Sequence, residues 1–250
     1  MSKLEWDQIG EHFYETGVKN GVLYMFNGTA SGESTGTNWE GVAWNGLTAV
    51  TESPSGAEAT ALYADDLKYL NLYSAEEFGA TIEAYTYPDE FAQCDGSAQM
   101  GTKTGVSFGQ QERKVFALCY KTTVGNDTQG NDLGYKIHLI YGCKASPSER
   151  AYSTINDSPE AITFSWELTT TPININDPTA IGLAATAKVK PIANIIIDST
   201  KFGNGEGQYP AAKLTAIENA LYGTNGSGSD DGTDPHLLFP AEIYSILSAT

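Results

Sequence analysis

Apolar residues come in short runs along this chain, and each run is stopped by Gly, Pro, Ser, Asn or Asp. Runs of that kind, rich in β-branched and aromatic residues, predict strands. The clearest lies at 161–170. There Ile162, Phe164, Trp166 and Leu168 share one face, and Thr163, Ser165, Glu167 and Thr169 share the other. Period-two alternation predicts an antiparallel strand with one packed face and one wet face. Residues 22–26 predict a first strand at the end of an N-terminal arm. Residues 42–50, 67–73, 81–87, 115–123, 135–141 and 192–198 predict further strands. The turn-rich GNDTQGNDLG at 125–134 joins two of these as a hairpin.

Helix signals are few. Pro88 followed by Asp89 and Glu90 starts a short helix that Gly96 ends. Residues 212–222 predict a second, stopped by Gly223. A last docking helix follows Pro240. The polar stretch 27–40 reads as a loop, 97–114 as a long loop or extended hairpin, and 224–235 as a flexible acidic linker; the alanine-rich 179–190 is ambiguous. No repeat of fixed period is present. These signals predict a mainly β fold: two packed antiparallel sheets, as a β-sandwich or half-barrel, with a flanking short helix, a C-terminal helix and long loops or arms. The expected organisation is an arm or first strand at 1–26, a β-domain at 27–223, and a linker and C-terminal arm at 224–250.

Charge narrows the function. The chain carries 31 acidic against 14 basic residues, a formal net charge of −17. Such a surface is poorly suited to neutralising phosphates, the usual source of nucleic-acid affinity, and anionic membranes repel it. Either the charge serves solubility and keeps subunits apart before assembly, or part of it faces DNA in order not to bind it. The 14 Tyr outnumber the 9 Phe, which suits half-buried strands and interfaces. The cysteines Cys94, Cys119 and Cys143 are odd in number and lack C-x-x-C spacing, so they predict neither a disulfide framework nor a zinc site. A reducing compartment of synthesis is expected. The N-terminus lacks the apolar core of a signal peptide, and no stretch has the length of a membrane span.

No catalytic constellation emerges. His12, His138 and His236 are far apart, and His138 sits within a strand-like run. Nucleophile elbows, H-E-x-x-H and phosphate-loop patterns are absent from the sequence, and GNGEG at 203–207 lacks the Lys-Ser/Thr of a phosphate loop. The carboxylates at 127–132 and 230–234 lack EF-hand spacing. The expectation is a protein that is not an enzyme and has no cofactor or metal.

Two segments carry a resemblance. GVAWNGLTAVTESPSGAEA, YADD and SAEEFGATIEAYTYPDEFAQCDGS fall within 41–97, and GYKIHLIYG, ASPSE and NDSPEAITFSWE within 134–172. Together these closely resemble the major tail tube proteins (major tail proteins) of long-tailed, non-contractile, siphovirus-type bacteriophages. The chain departs from that pattern in a longer 27–40, a divergent 98–112 and an inserted 180–190. The resemblance implies hexameric rings, each copy lending strands to one inner barrel, stacked into a tube that conducts DNA during ejection. It implies as partners further copies of the chain, a tape-measure protein, a tail terminator and baseplate or tail-tip proteins. Genomic DNA would pass through the lumen without specific binding, and no membrane is involved. The localisation implied is the virion tail tube, after synthesis in the host bacterial cytoplasm. The alternatives are another virion β-protein, such as a capsid decoration or tail-terminator protein, or a carbohydrate-binding module.

The wet strand faces nominate Glu83, Thr163 and Glu167 as lumen residues, with outside solvent as the other reading. The 97–114 loop, with Gly101, Phe108 and Arg113, is nominated for ring-to-ring contacts, and the termini 1–26 and 236–250 as docking arms. Deleting 97–114 is expected to leave soluble monomer without tubes in negative-stain micrographs; normal tubes would remove that loop from assembly.

Overall fold

Three apolar runs do not alternate: VLYMF ending at Phe26, FALCY starting at Phe116, and IHLIY at 137–141. A strand with both faces covered has no wet side to alternate with, and these three runs form the centre of the sheet. The computed structural model describes residues 3–27, 35–101, 105–155, 157, 160–227 and 230–249. In chain order the strands are β1 (Tyr14–Phe26), β2 (Trp39–Trp44), β3 (Leu47–Glu52), β4 (Ser55–Gly56), β5 (Ala59–Ala64), β6 (Leu67–Tyr73), β7 (Glu76–Glu77) and β8 (Gly79–Ala84). There follow β9 (Ala98–Gln99), β10 (Ser107–Phe108), β11 (Phe116–Asn126), β12 (Gly130–Ala145), β13 (Phe164–Thr170), β14 (Asn194–Asp198), β15 (Thr224–Ser227) and β16 (Asp230–Thr233). Two α-helices, α1 (Ala211–Tyr222) and α2 (Pro240–Ser248), lie towards the C-terminus.

Eight strands make one antiparallel sheet in the order β2-β1-β11-β12-β13-β8-β3, with β14 also on β12. One face of β1, β11 and β12 packs under the helical layer. Tyr24, Cys119, Ile137, Leu139 and Tyr141 meet Ile217 and Leu221 of α1, Leu237 to Phe239, and Ile243 of α2. The hydroxyls of the two buried tyrosines donate to backbone carbonyls of that layer, Tyr24 to Leu221 and Tyr141 to Leu238, each at 2.7 Å. Burying those rings therefore leaves no polar group unpaired.

The opposite face packs against the far half of the same sheet. Leu23, Phe116, Leu118 and Ile140 meet Ile82 of β8, Trp166 and Leu168 of β13, and Trp44 at the end of β2. Phe91 sits at the middle, edge-on to Trp166 at 5.0 Å and to Phe116 at 5.4 Å. It comes from a 3-10 helix, Asp89–Gln93, where the sequence predicts a short helix. Trp44 stacks obliquely on Phe91 at 4.6 Å and donates from Nε1 to the Thr86 carbonyl at 3.0 Å.

The mainly β, antiparallel expectation holds, with one large rolled sheet and several small ribbons in place of two comparable sheets. The sheet does not close into a barrel. Its end strands β2 and β3 are joined by Asn45-Gly46 but do not pair with each other. That turn is why 42–50 is two strands and not one: Gly46 takes φ +77 and hands the chain from one end of the sheet to the other. The predicted linker 224–235 contains the β15–β16 ribbon. The C-terminal arm is packed on its own chain. Leu237, Leu238, Phe239 and Ile243 are buried, because their apolar stripe completes the first core. Of the 27–40 loop, residues 28–34 lie outside the described ones; Gly36 donates to Glu242 at 3.1 Å, and a Cβ there would collide with the Leu237 carbonyl oxygen.

Phe91 has no exposed surface, so Phe91→Ala is expected to lower unfolding free energy by about 3–5 kcal/mol. Trp6→Ala, at a largely exposed ring, is expected to change it by less than about 0.5 kcal/mol. Chemical denaturation of both variants checks the pair of values.

Candidate assembly surfaces

Beyond the paired ends of β3 and β8 the chain continues as one long hairpin. Ser55–Gly56 pairs with Glu76–Glu77, and Ala59–Ala64 with Leu67–Tyr73. Asp65 and Asp66 turn it at φ +50 and +62, the paired left-handed conformation that suits a two-residue hairpin loop. Each limb between residue 53 and the turn can reach about 40 Å at the usual strand rise. Leu62, Tyr63, Leu67, Tyr69, Leu70, Leu72 and Tyr73 are all exposed, with Tyr63 and Tyr69 at 72%. Adjacent positions point to opposite faces, so both faces of this ribbon are apolar and wet. An isolated two-stranded ribbon is marginal in water, and an exposed apolar surface of this kind is a candidate interaction surface. The sequence predicted 67–73 as a strand but not its separation from the core. Its aromatic and leucine content is that of a core strand, and only the absence of a covering layer distinguishes it.

The N-terminal arm also exposes large apolar groups, Leu4, Trp6, Ile9 and Phe13. It is tethered at its base. Both Asp127 carboxylate oxygens accept the Gly10 amide at 3.0 Å, His12 Nδ1 lies 3.1 Å from Asp127, and Asn126 donates to the Gly10 carbonyl at 3.0 Å. The Gly10 amide and His12 hold the Asp127 carboxyl below the usual carboxylate range.

The nominated lumen acids come together on one face. Glu83 of β8 is opposite Ser165 of β13, and Glu167 is opposite Thr81, so the two glutamates are diagonal neighbours. Both are exposed, while Ile82, Trp166 and Leu168 between them point inward. Thr163 is exposed and precedes β13 on the same parity. Strands β3, β8 and β13 carry no Lys or Arg, so on these three strands the face is hydroxyl-lined and acidic; on the adjoining β12, Lys144 lies opposite Thr169.

The nominated contact loop divides. β9 and β10 pair as a short ribbon with Gly101 and Phe108 exposed near its end, and residues 102–104 lie outside the described ones. Arg113 is elsewhere: half-buried, it donates from Nη1 to the Ala145 carbonyl at 2.9 Å. With Lys114 and Lys144 it rims a groove of about 780 Å³ whose less exposed lining includes Phe26, Tyr141, Ile173 and Phe239. Neither Lys114 nor Lys144 has an ion-pair partner among the described residues.

At the root of the long hairpin lies a polar cluster. Glu52 accepts from the Tyr120 hydroxyl at 2.7 Å and lies 3.5 Å from His138 Nδ1. The His138 ring stacks on Tyr120 at 4.6 Å, and its Nε2 is 3.0 Å from the Thr122 hydroxyl. The His138 ring beside it and the Tyr120 hydroxyl hold the Glu52 carboxyl below the usual range, against partial desolvation. Burial first, then Glu52, pushes the Tyr120 hydroxyl well up. This arrangement fixes β3 to β11 and β12. Burial pushes the Cys94 and Cys119 thiols up to about 12, so both stay protonated and unreactive at neutral pH. Among the described residues no group of three or more His, Cys, Asp and Glu converges to hold a metal, and no helix is long and apolar enough to cross a membrane.

No protein-family model matches the chain, and no curated protein matches it.

Glu52 is ionised more readily in the folded than in the unfolded chain, so its contribution is present above the unfolded carboxylate value and is lost as pH falls through the lower folded one. Glu52→Gln is expected to flatten the loss of stability between about pH 5 and pH 3. Urea unfolding across that range checks it, and an unchanged acid limb would remove Glu52 from the account.

Proposed function

We propose that this chain is a structural subunit that assembles with copies of itself, as the major tail tube protein of a non-contractile, long-tailed bacteriophage. The carrying observation is the hairpin of β5 and β6, whose leucines and tyrosines are exposed on both faces. Among the described residues of a single copy no layer covers that ribbon, whereas neighbouring copies can cover it. The rolled sheet supports the same reading. Its end strand β3 pairs on one side only among the described residues. Edges of that sort are removed when copies close into a ring. A barrel wide enough for an aqueous channel takes some sixteen strands or more, more than this sheet holds, so a conduit needs several copies.

The resemblance supplies the finer picture: six copies per ring, stacked rings, and a tape-measure protein, tail terminator and baseplate or tail-tip proteins as partners in the virion. In that picture the acidic face of Glu83, Thr163 and Glu167 lines the bore and repels phosphates, so duplex DNA slides without being gripped. The role is structural, not enzymatic.

Concentrated protein is expected to form hollow, regularly banded tubes in negative stain. Replacing residues 55–77 by a two-residue Asn-Gly turn is expected to leave a folded chain that forms none. Tubes from that variant would contradict the role given to the hairpin. Glu83→Lys with Glu167→Lys is expected to leave tubes intact but retain duplex DNA at low salt; unchanged DNA passage would move these acids out of the bore.

A further inference from the structure

The long hairpin and the groove rimmed by Arg113, Lys114 and Lys144 are opposites in charge and alike in apolar content. The hairpin carries Glu58, Asp65, Asp66, Glu76 and Glu77 against the single basic residue Lys68, around exposed Tyr63 and Leu67. The groove gathers three of the chain's 14 basic residues around an aromatic and aliphatic floor, with Glu112 as the one acid at its rim. In a chain of net charge −17 a basic-rimmed apolar groove is the exception, and it is the surface that an acidic, aromatic segment fits. We propose that the turn of the hairpin, Tyr63 to Leu67, seats in this groove on a second copy of the chain, with Asp65 and Asp66 against Lys114 and Lys144.

The proposal rests on the self-assembly reading and adds the pairing of surfaces. Tip and groove are different patches, so the contact is head-to-tail. Such contacts do not stop at a dimer; they close into a ring or propagate as a filament, according to the rotation between copies. The hairpin reach of about 40 Å lets the tip cross to a neighbour while its root stays fixed by Glu52. Arg113 is held by the Ala145 carbonyl and shapes the rim, which leaves the two lysines as the partners of the aspartates. The N-terminal arm is the other acidic, aromatic segment, with Trp6 beside Glu5 and Asp7. It is tethered at Gly10 and His12 to the far end of β1 from Phe26, and so away from the groove of its own copy.

The test is made on the full chain by introduced cysteines, the native three being buried. Asp66→Cys and Lys144→Cys in one chain, oxidised with diamide, are expected to give a ladder of dimers, trimers and higher species. Each single variant gives none beyond dimer. Lys114→Glu with Lys144→Glu is expected to raise the concentration for half-assembly by about tenfold or more, and Asp65→Lys with Asp66→Lys added in the same chain to restore it to within about threefold. Light scattering of the unmodified chain separates two failures. Oligomers without a ladder, or without charge-swap rescue, overturn the pairing and leave self-assembly standing. A chain that stays monomeric and gives no ladder overturns both. A ladder from Trp6→Cys with Lys144→Cys, and none from the hairpin pair, gives the groove to the N-terminal arm instead.

Discussion

The apolar runs 22–24 of β1, 116–120 of β11 and 137–141 of β12 are buried on both faces, and the helical layer and the far half of the sheet are placed by covering them. On one side the cover is α1, α2 and the segment from Leu237 to Phe239, with Tyr24 and Tyr141 each anchored by a hydroxyl to a carbonyl of that layer. On the other it is the sheet itself, rolled so that Trp166, Ile82 and Trp44 close over Leu118 and Ile140 around Phe91. Rolling brings β3 and β8 into position, and their continuation as a hairpin follows from that. The helices and half of the sheet are used to cover the centre, and among the described residues none covers β5 and β6.

The same arrangement explains how acids and apolar groups are distributed. Where a strand has one covered face, as in β8 and β13, glutamates alternate outward and the wet face is acidic. Where a ribbon has no covered face, tyrosines and leucines are left in solvent beside aspartates and glutamates. Basic residues are few, and three converge at the groove beside Phe26 and Phe239. A surface organised in this way repels its like at long range, and under the proposed pairing its basic-rimmed groove would complement the acidic hairpin of a second copy at short range.

Strand positions were largely legible because the apolar runs are bounded by turn residues, and the alternation of 162–169 gave the correct inward face for Trp166 and Leu168. The centre of the sheet was legible as strand but not as doubly covered, since a helical cover far along the chain leaves no local mark. The break at Asn45-Gly46 was readable turn chemistry, hidden by apolar residues on either side. The C-terminal helix was predicted, yet its burial was not, because an amphipathic stripe fits a neighbour's surface as well as its own. The hairpin was missed for the converse reason: nothing in the residues of 59–73 says that their apolar faces stay open. Glu83 and Glu167 were nominated from alternation alone and share one face, whereas Arg113 was nominated with Gly101 and Phe108 and belongs to a different surface.

Hydrogen exchange at the amides of 59–73, followed from dilute to concentrated protein, tests the central claim most directly, since an uncovered two-stranded ribbon exchanges quickly and a covered one does not. The account predicts that these amides become strongly protected on concentration while those of β11 and β12 stay as slow as before. Equally fast exchange in 59–73 at every concentration would contradict it.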